Sequence, residues 1–286
     1  SVAIPVRNGG ARLREVLEAV RAQTVEAELV VADSRSTDGS AELARSFGAT
    51  VFTVERFSHG GTRNELMERT SGDVVAFLTQ DAVPASDQWL AALLRGFTHE
   101  VALVYGPSLP RQDAPVPVAR EMTEWFSPVP RVDRGRDLRG PGLETFFTST
   151  NGAVLRAAWR DVPFPDVPYA EDQALALAML RAGYAKAYVP EAAVIHSHDY
   201  GPLEQFRRTF DEWRALRDVH GLVQPLAPVN TLLALQNNVR ADLRAGAGPV
   251  RSARHHAIRT LGAALGSRAD RLPERLRRWC SLEGRG

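Results

Sequence analysis

From Val2 to about Val104 the chain repeats one alternation, and that alternation leaves few folds open. Short β-branched apolar runs stand at Val2–Val6, Glu28–Ala32, Thr50–Val54, Val74–Leu78 and Val101–Tyr105. Between them Ala11–Ala22, Ser40–Phe47, Thr62–Thr70 and Gln88–Phe97 carry apolar residues at helical spacing, and Asp38-Gly39-Ser40 supplies small capping residues for the second helix. Consecutive βα units of this kind predict an α/β fold: an open, mostly parallel twisted sheet flanked by helices.

The rest of the chain reads differently. Pro107–Gly142 is rich in Pro, Gly and charge and predicts a long loop with room for one short helix. Regular structure is expected again at Thr145–Leu155, in a helix Asp172–Ala182 closed by Gly183, and in a strand Ala193–His196. Beyond it the text is helical, broken at Pro225, Pro228, Pro249 and Pro273. A boundary near Gly201–Pro202 divides a catalytic domain, residues 1–201, from a helical C-terminal region, residues 202–286.

Composition fits such a globular chain, with 44% hydrophobic and 24% charged residues in 286. The single cysteine, Cys280, allows no intrachain disulfide, and a reducing cytoplasm is expected. No apolar run approaches the ~20 residues that span a bilayer, and the first residues read as a strand rather than a signal peptide. The net charge of +1 hides an asymmetry: residues 240–286 hold 11 Arg against 4 Asp and Glu. Lys186 is the only lysine.

Open α/β sheets bind ligands at the carboxyl ends of their strands, and here those ends are polar. They read Pro5-Val6-Arg7-Asn8-Gly9-Gly10, Asp33 through Gly39, and Thr79-Gln80-Asp81, with Phe57 through Asn64 after the third strand. Asp38 is read as a turn and capping residue. Asp33 sits at the strand edge, several residues before the helix, where its carboxylate can accept from a ligand N–H such as that of uracil or thymine. Asp81 closes an apolar strand with no charge partner following it, a placement suited to a divalent cation bridging a diphosphate. Glu171-Asp172 opens a helix, where acids contribute ~0.3–1 kcal/mol to helix stability, and a carboxylate there can also serve as a base.

Seven segments stand together in one order: Val2–Asn8, Val31–Ser40, Phe57–Asn64, Gly72–Pro84, Phe147–Arg156, Ala170–Ala178 and Val189–Tyr200. Over residues 2–200 the chain thereby resembles the family 2 glycosyltransferases, inverting enzymes of the GT-A fold, and especially their rhamnosyltransferase-like bacterial branch. The resemblance implies that Pro5, Val6 and Arg7 line the base, that Asp33 reads it, and that Asp172 is the catalytic base. Thr79-Gln80-Asp81 takes the family's Asp-X-Asp place, with Thr79 where the first acid is usual, so Gln80 is assigned to the donor and Asp81 to donor and metal. Arg63 and Asn64, with His59, are assigned to the diphosphate. Asn151 and Glu171 are assigned to the acceptor side, and His196 or His198 completes the metal site, His196 preferred.

By the same resemblance the donor is a nucleoside diphosphate sugar, dTDP-rhamnose first and a UDP sugar otherwise, and the cofactor Mn²⁺ or Mg²⁺. The acceptor is expected to be a glycan or lipid-linked hydroxyl, and no nucleic acid is expected as a partner. A dehydrogenase is disfavoured because no G-x-G-x-x-G follows the first strand, and no P-loop or G-x-S-x-G appears. Two alternatives differ in class: a sugar nucleotidyltransferase, which needs a basic Gly-rich loop after strand one, and a sugar-nucleotide-binding module without catalysis. The arginine-rich tail, with Ile258, Leu261 and Leu265 on one helical face, raises peripheral contact with an anionic membrane at its cytoplasmic side.

Overall fold

A computed structural model of the chain describes residues 1–138 and 145–283. Its strands are β1 (Val2–Val6), β2 (Leu29–Asp33), β3 (Thr50–Thr53), β4 (Val74–Leu78), β5 (Val83–Pro84), β6 (Val101–Tyr105), β7 (Ser108–Leu109), β8 (Arg131–Arg134), β9 (Asn151–Leu155), β10 (Ala185–Tyr188) and β11 (Val194–Ile195). The helices are α1 (Gly10–Arg21), α2 (Ser40–Ser46), α3 (His59–Arg69), α4 (Trp89–Arg95), α5 (Val116–Trp125), α6 (Arg156–Asp161), α7 (Glu171–Arg181), α8 (Pro202–His220), α9 (Pro228–Arg244), α10 (Pro249–Gly266) and α11 (Glu274–Cys280).

The chain divides into two units. The first comprises Ser1–Leu109, Phe126–Val167 and Glu171–His196; the second comprises Pro110–Trp125, Pro168–Ala170 and Ser197–Gly286. In the first, eight strands form a sheet in the order β3-β2-β1-β4-β9-β6-β10-β8, and β5, β11 and β7 form a small one. Only β9 and β8 run against the rest of the large sheet. Alternation along each strand explains the layers: Val2, Ile4 and Val6 bury on one face with Leu13, Leu17, Trp89 and Leu93 of α1 and α4. Ala3, Val30 and Ala32 bury on the other, with Leu66 and Met67 of α3 and Leu175 and Met179 of α7.

The expected βα units are present, with ends shifted by a few residues. Helix α3 begins at His59 rather than Thr62, because Ser58 Oγ caps it by accepting from Gly61 N at 3.1 Å. The first residue of α2 is preceded by Gly39 at φ 84°, with no side-chain cap. Asp38 instead accepts from the backbone N–H groups of Ser40 and Gly10, joining the loops after β1 and β2.

The stretch read as a long loop holds more order than expected. It contains β7, α5 and β8, while residues 139–142 of it lie outside the described residues. Strand β8 escaped the apolar pattern because charge pairs it to β10: Asp133 and Lys186 face each other across the ladder. Lys186 Nζ, fully buried, donates to Asp133 Oδ2 at 2.6 Å and lies over the Tyr105 ring. Of Thr145–Leu155 only Asn151–Leu155 is strand, and the residues before it turn.

In the second unit the prolines start helices. Pro228 and Pro249 are the first residues of α9 and α10, and Pro273 precedes α11. A core of Phe206, Phe210, Ala269 and Cys280 takes in Ile258, Leu265 and Leu272. The apolar tail face is therefore mostly spent on packing, and of its three residues only Leu261 is exposed. Among the described residues no helix is long and apolar enough to cross a membrane.

Candidate active site

Strand order reverses at β1: β2 and β3 lie on one side of it and β4 on the other, the crevice where open α/β sheets take ligands. The loops leaving β1 and β4 are tied across that crevice. Gln80 Oε1 accepts from Arg7 N at 2.8 Å, and Gln80 Nε2 donates to Arg7 O at 3.2 Å. Gln80 thus extends the sheet edge with its side chain, at the crevice where the donor is expected. Asn8, at φ 53°, accepts from Thr37 N at 2.9 Å and fixes the loop that carries Pro5, Val6 and Arg7 beside the end of β2. Asp33 closes β2, buried, with both carboxylate oxygens receiving the Ser36 N–H.

Past β4, Asp81 Oδ1 lies 3.5 Å from His196 Nε2, the residue that follows β11. Nearby in sequence, the Thr79 hydroxyl is buried without a hydrogen-bond partner. A carboxylate beside an imidazole fits a divalent cation of the Mn²⁺ kind. His198 falls in the second unit, where its ring stacks on Tyr200 at 4.8 Å.

The third part of the site is the start of α7. Asp172 Oδ2 accepts from Ser149 N at 3.0 Å, and its Oδ1 accepts from Gln173 N at 2.8 Å. Burial and then the neighbouring Glu171 carboxylate push the Asp172 carboxyl up to about 6, against the pull of the Arg63 guanidinium and the two backbone donors. An acid poised there is ionised at neutral pH yet basic enough to take a proton. Ser149, whose backbone and hydroxyl both reach Asp172, was not singled out from the sequence, where it is one hydroxyl residue among three in Thr148-Ser149-Thr150.

Four residues assigned to substrate by resemblance turn out to hold the protein together. Arg63 and Glu171 are both buried and pair with each other at 2.9 Å. Both side chains are committed to this pair in the structure, next to Asp172. Asn64 accepts from Trp159 Nε1 and Phe164 N and donates to Phe164 O, pinning the segment after α6. Asn151, with no exposure, accepts from Trp89 Nε1 at 2.8 Å and donates to the carbonyls of Pro107 and Ala192. The glycines of this region are equally structural: a Cβ on Gly60 would stand 2.2 Å from Pro165 O.

Known proteins resemble the chain in sequence and in fold. The family model "Glycosyl transferase family 2" matches residues 1–162. The O-antigen chain rhamnosyltransferase RfbN of Salmonella typhimurium is 36% identical over 217 residues, 73% of this chain and 69% of that one. WbaN of Salmonella anatum, also an O-antigen chain rhamnosyltransferase, is 34% identical over the same shares. Among solved structures, the mannosyltransferase PcManGT of Pyrobaculum calidifontis, in complex with GDP-Man and Mn²⁺, superposes with a TM-score of 0.63. It is 19% identical, with 95% of this chain and 87% of that chain covered. TarS 1–349 of Staphylococcus aureus, with UDP-GlcNAc, gives 0.56 at 16% identity, covering 94% and 90%.

Proposed function

The chain belongs to glycosyl transferase family 2, has the GT-A fold, and is a glycosyltransferase, and from that premise we propose that it is an inverting rhamnosyltransferase. The donor is dTDP-rhamnose, and the acceptor is a hydroxyl of a growing glycan, lipid-linked as an O-antigen chain would be. The two Salmonella relatives, named as O-antigen chain rhamnosyltransferases, support the sugar and the acceptor class.

The observation that carries the mechanism is Asp172, held by Ser149 with its carboxyl raised to about 6. In the proposal it takes the acceptor hydroxyl proton as that oxygen attacks the anomeric carbon, and the bond to the diphosphate oxygen breaks in the same displacement. The Arg63–Glu171 pair sets the field around this base from behind. Asp33 accepts from the N–H of the pyrimidine ring, beside the edge formed by Pro5, Val6 and Arg7. Asp81 and His196 would hold the cation, and a bound Mn²⁺ or Mg²⁺ would neutralise charge on the departing diphosphate.

Peripheral contact with an anionic membrane is retained in altered form. Residues 221–239 contain no Asp, Glu, Lys, Arg or His, and Val223, Leu226, Val229, Leu232 and Leu233 are exposed. We assign the lipid contact to this surface, with Arg240 and Arg244 of α9 at the headgroups. The test of the transferase reading is a panel of nucleotide sugars with a lipid-linked acceptor, reading product anomeric configuration. Transfer from dTDP-rhamnose with inversion supports it. Donor hydrolysis without transfer to any acceptor, or retention, removes it.

A further inference from the structure

The second unit contains a cluster of side chains that sugar transfer does not use. Glu121 of α5 faces two consecutive residues of α10, His255 and His256, which lie more than a hundred positions later in the chain. Glu121 Oε2 lies 3.3 Å from His255 Nε2, and Oε1 lies 3.4 Å from His256 Nδ1. The two imidazoles and the carboxylate each offer one atom within 4.8 Å of the others, and both rings are buried.

These separations are long for a charge-assisted hydrogen bond, which runs ~2.7–2.9 Å. Each is near the ~3.3 Å edge of a tetrahedron whose centre is ~2.0–2.1 Å from its corners, the distance at which zinc holds imidazole nitrogen and carboxylate oxygen, and the two edges end on the two oxygens of one carboxylate, which must turn for a single oxygen to meet both. What stands behind the rings points the same way. His256 Nε2 is 2.7 Å from Asp242 Oδ2, and that wholly buried carboxylate is itself fixed by Ser252 Oγ and by Arg120 Nε, each at 2.6 Å. Metal-binding histidines are oriented in this way: the outer nitrogen gives its proton to a carboxylate and the inner lone pair faces the ion. With a single His256 proton on Nε2, Nδ1 and Glu121 Oε1 are acceptor against acceptor, an arrangement resolved either by a second proton, which Glu121 and Asp242 favour, or by a shared cation. Gln205 occupies the corresponding place behind His255, its side-chain amide 2.7 Å from Nδ1. Turning that amide about its axis, which exchanges its oxygen and nitrogen, lets it accept the Nδ1 proton. Arg259 also reaches Glu121 at 3.5 Å, but it is 40% exposed and free to turn toward solvent when a cation binds.

We propose that Glu121, His255 and His256 bind a zinc ion that clamps α5 to α10, with water in the fourth position. Two imidazoles and one carboxylate suit this borderline ion better than Mg²⁺. The role is structural: the ion would tie Val116–Trp125, a helix inserted between strands of the first unit's sequence, into the helical C-terminal region.

The test uses the full chain, stripped with chelator and titrated with Co²⁺ and then Zn²⁺. Expected are the visible absorption of four-coordinate Co²⁺, its loss on adding one equivalent of Zn²⁺ but not Mg²⁺, and a rise in melting temperature with Zn²⁺. Made in an Asp81→Asn chain, so that the donor-side cation site does not contribute, His255→Gln and His256→Gln should each weaken Zn²⁺ binding roughly tenfold or more. If either histidine variant loses its circular dichroism, Glu121→Gln, which keeps shape and removes the charge, supplies the same reading. No Co²⁺ absorption and no Zn²⁺ binding by the wild-type chain would overturn the proposal, as would Zn²⁺ binding that survives in the folded variants. The cluster would then be a set of imidazole–carboxylate ion pairs.

Discussion

At the residue scale the site separates groups that act from groups that hold. Asp172→Asn should abolish transfer while leaving nucleotide-diphosphate affinity within a few-fold, measured by calorimetry beside a turnover assay, since the base meets the acceptor and not the donor. The wild-type pH profile gives a second reading. The working form of Asp172 is the ionised one, so kcat/KM should be low in acid and rise through pH of about 6, the value to which burial and Glu171 push the carboxyl. Asp81→Ala should weaken donor binding with Mn²⁺ present and change little in chelator; equal donor affinity of the wild type with and without metal would give Asp81 another task. Asn151→Ala should behave differently from both. It strands Trp89 Nε1 and the carbonyl of Ala192, each costing ~1–3 kcal/mol when buried unpaired, while the Pro107 carbonyl keeps the Val194 N–H. A lowered melting temperature with an unchanged KM for acceptor in the surviving folded fraction is the expected outcome.

At the scale of elements, what the sequence discloses depends on which force builds the element. β2 and β6 are buried at every position, so their apolar runs announce them. β8 and β10 are joined by Lys186 and Asp133, and a lysine in Ala185–Tyr188 or two arginines in Arg131–Arg134 hides a strand from any hydrophobic pattern. The same limit governs the site. Asp81, Asp172 and His196 are legible as polar residues at strand or helix ends, but sequence spacing does not tell a ligand contact from a buried internal bond. Asn151 and the Arg63–Glu171 pair make bonds of the second kind. The tail shows it for helices, because Ile258 and Leu265 share a face that reads as membrane-seeking and is spent on Phe206 and Phe210. The exposed apolar surface lies earlier, on α9 and the residues before it. Replacing Leu232 and Leu233 together by Glu should therefore abolish co-sedimentation with anionic vesicles while thermal stability stays near wild type, since both side chains are already in water. Vesicle binding that persists in the double variant would return the contact to the arginines alone.

At the scale of the whole molecule, the large sheet ends in a charged seam rather than an apolar one. Asp133 is shared between Lys186 and Arg131, and Arg131 also donates to the Tyr105 hydroxyl at 3.0 Å. Removing one member of a buried pair costs about 3–5 kcal/mol because its partner is left uncompensated, and Arg131 remains to meet part of that cost. Lys186→Met should thus lower stability by about 3 kcal/mol in denaturant titration, and adding Asp133→Leu should recover some of it. A single variant as stable as wild type would mean that the seam contributes nothing to the fold. The seam also makes the chain unusually silent toward amine chemistry. No other lysine exists in these 286 residues, and this one is sealed in the sheet. A reagent that acylates amines and spares the chain terminus can therefore modify a side-chain amine only when the β8–β10 edge opens, so the rate of lysine labelling becomes a clock for that opening alone.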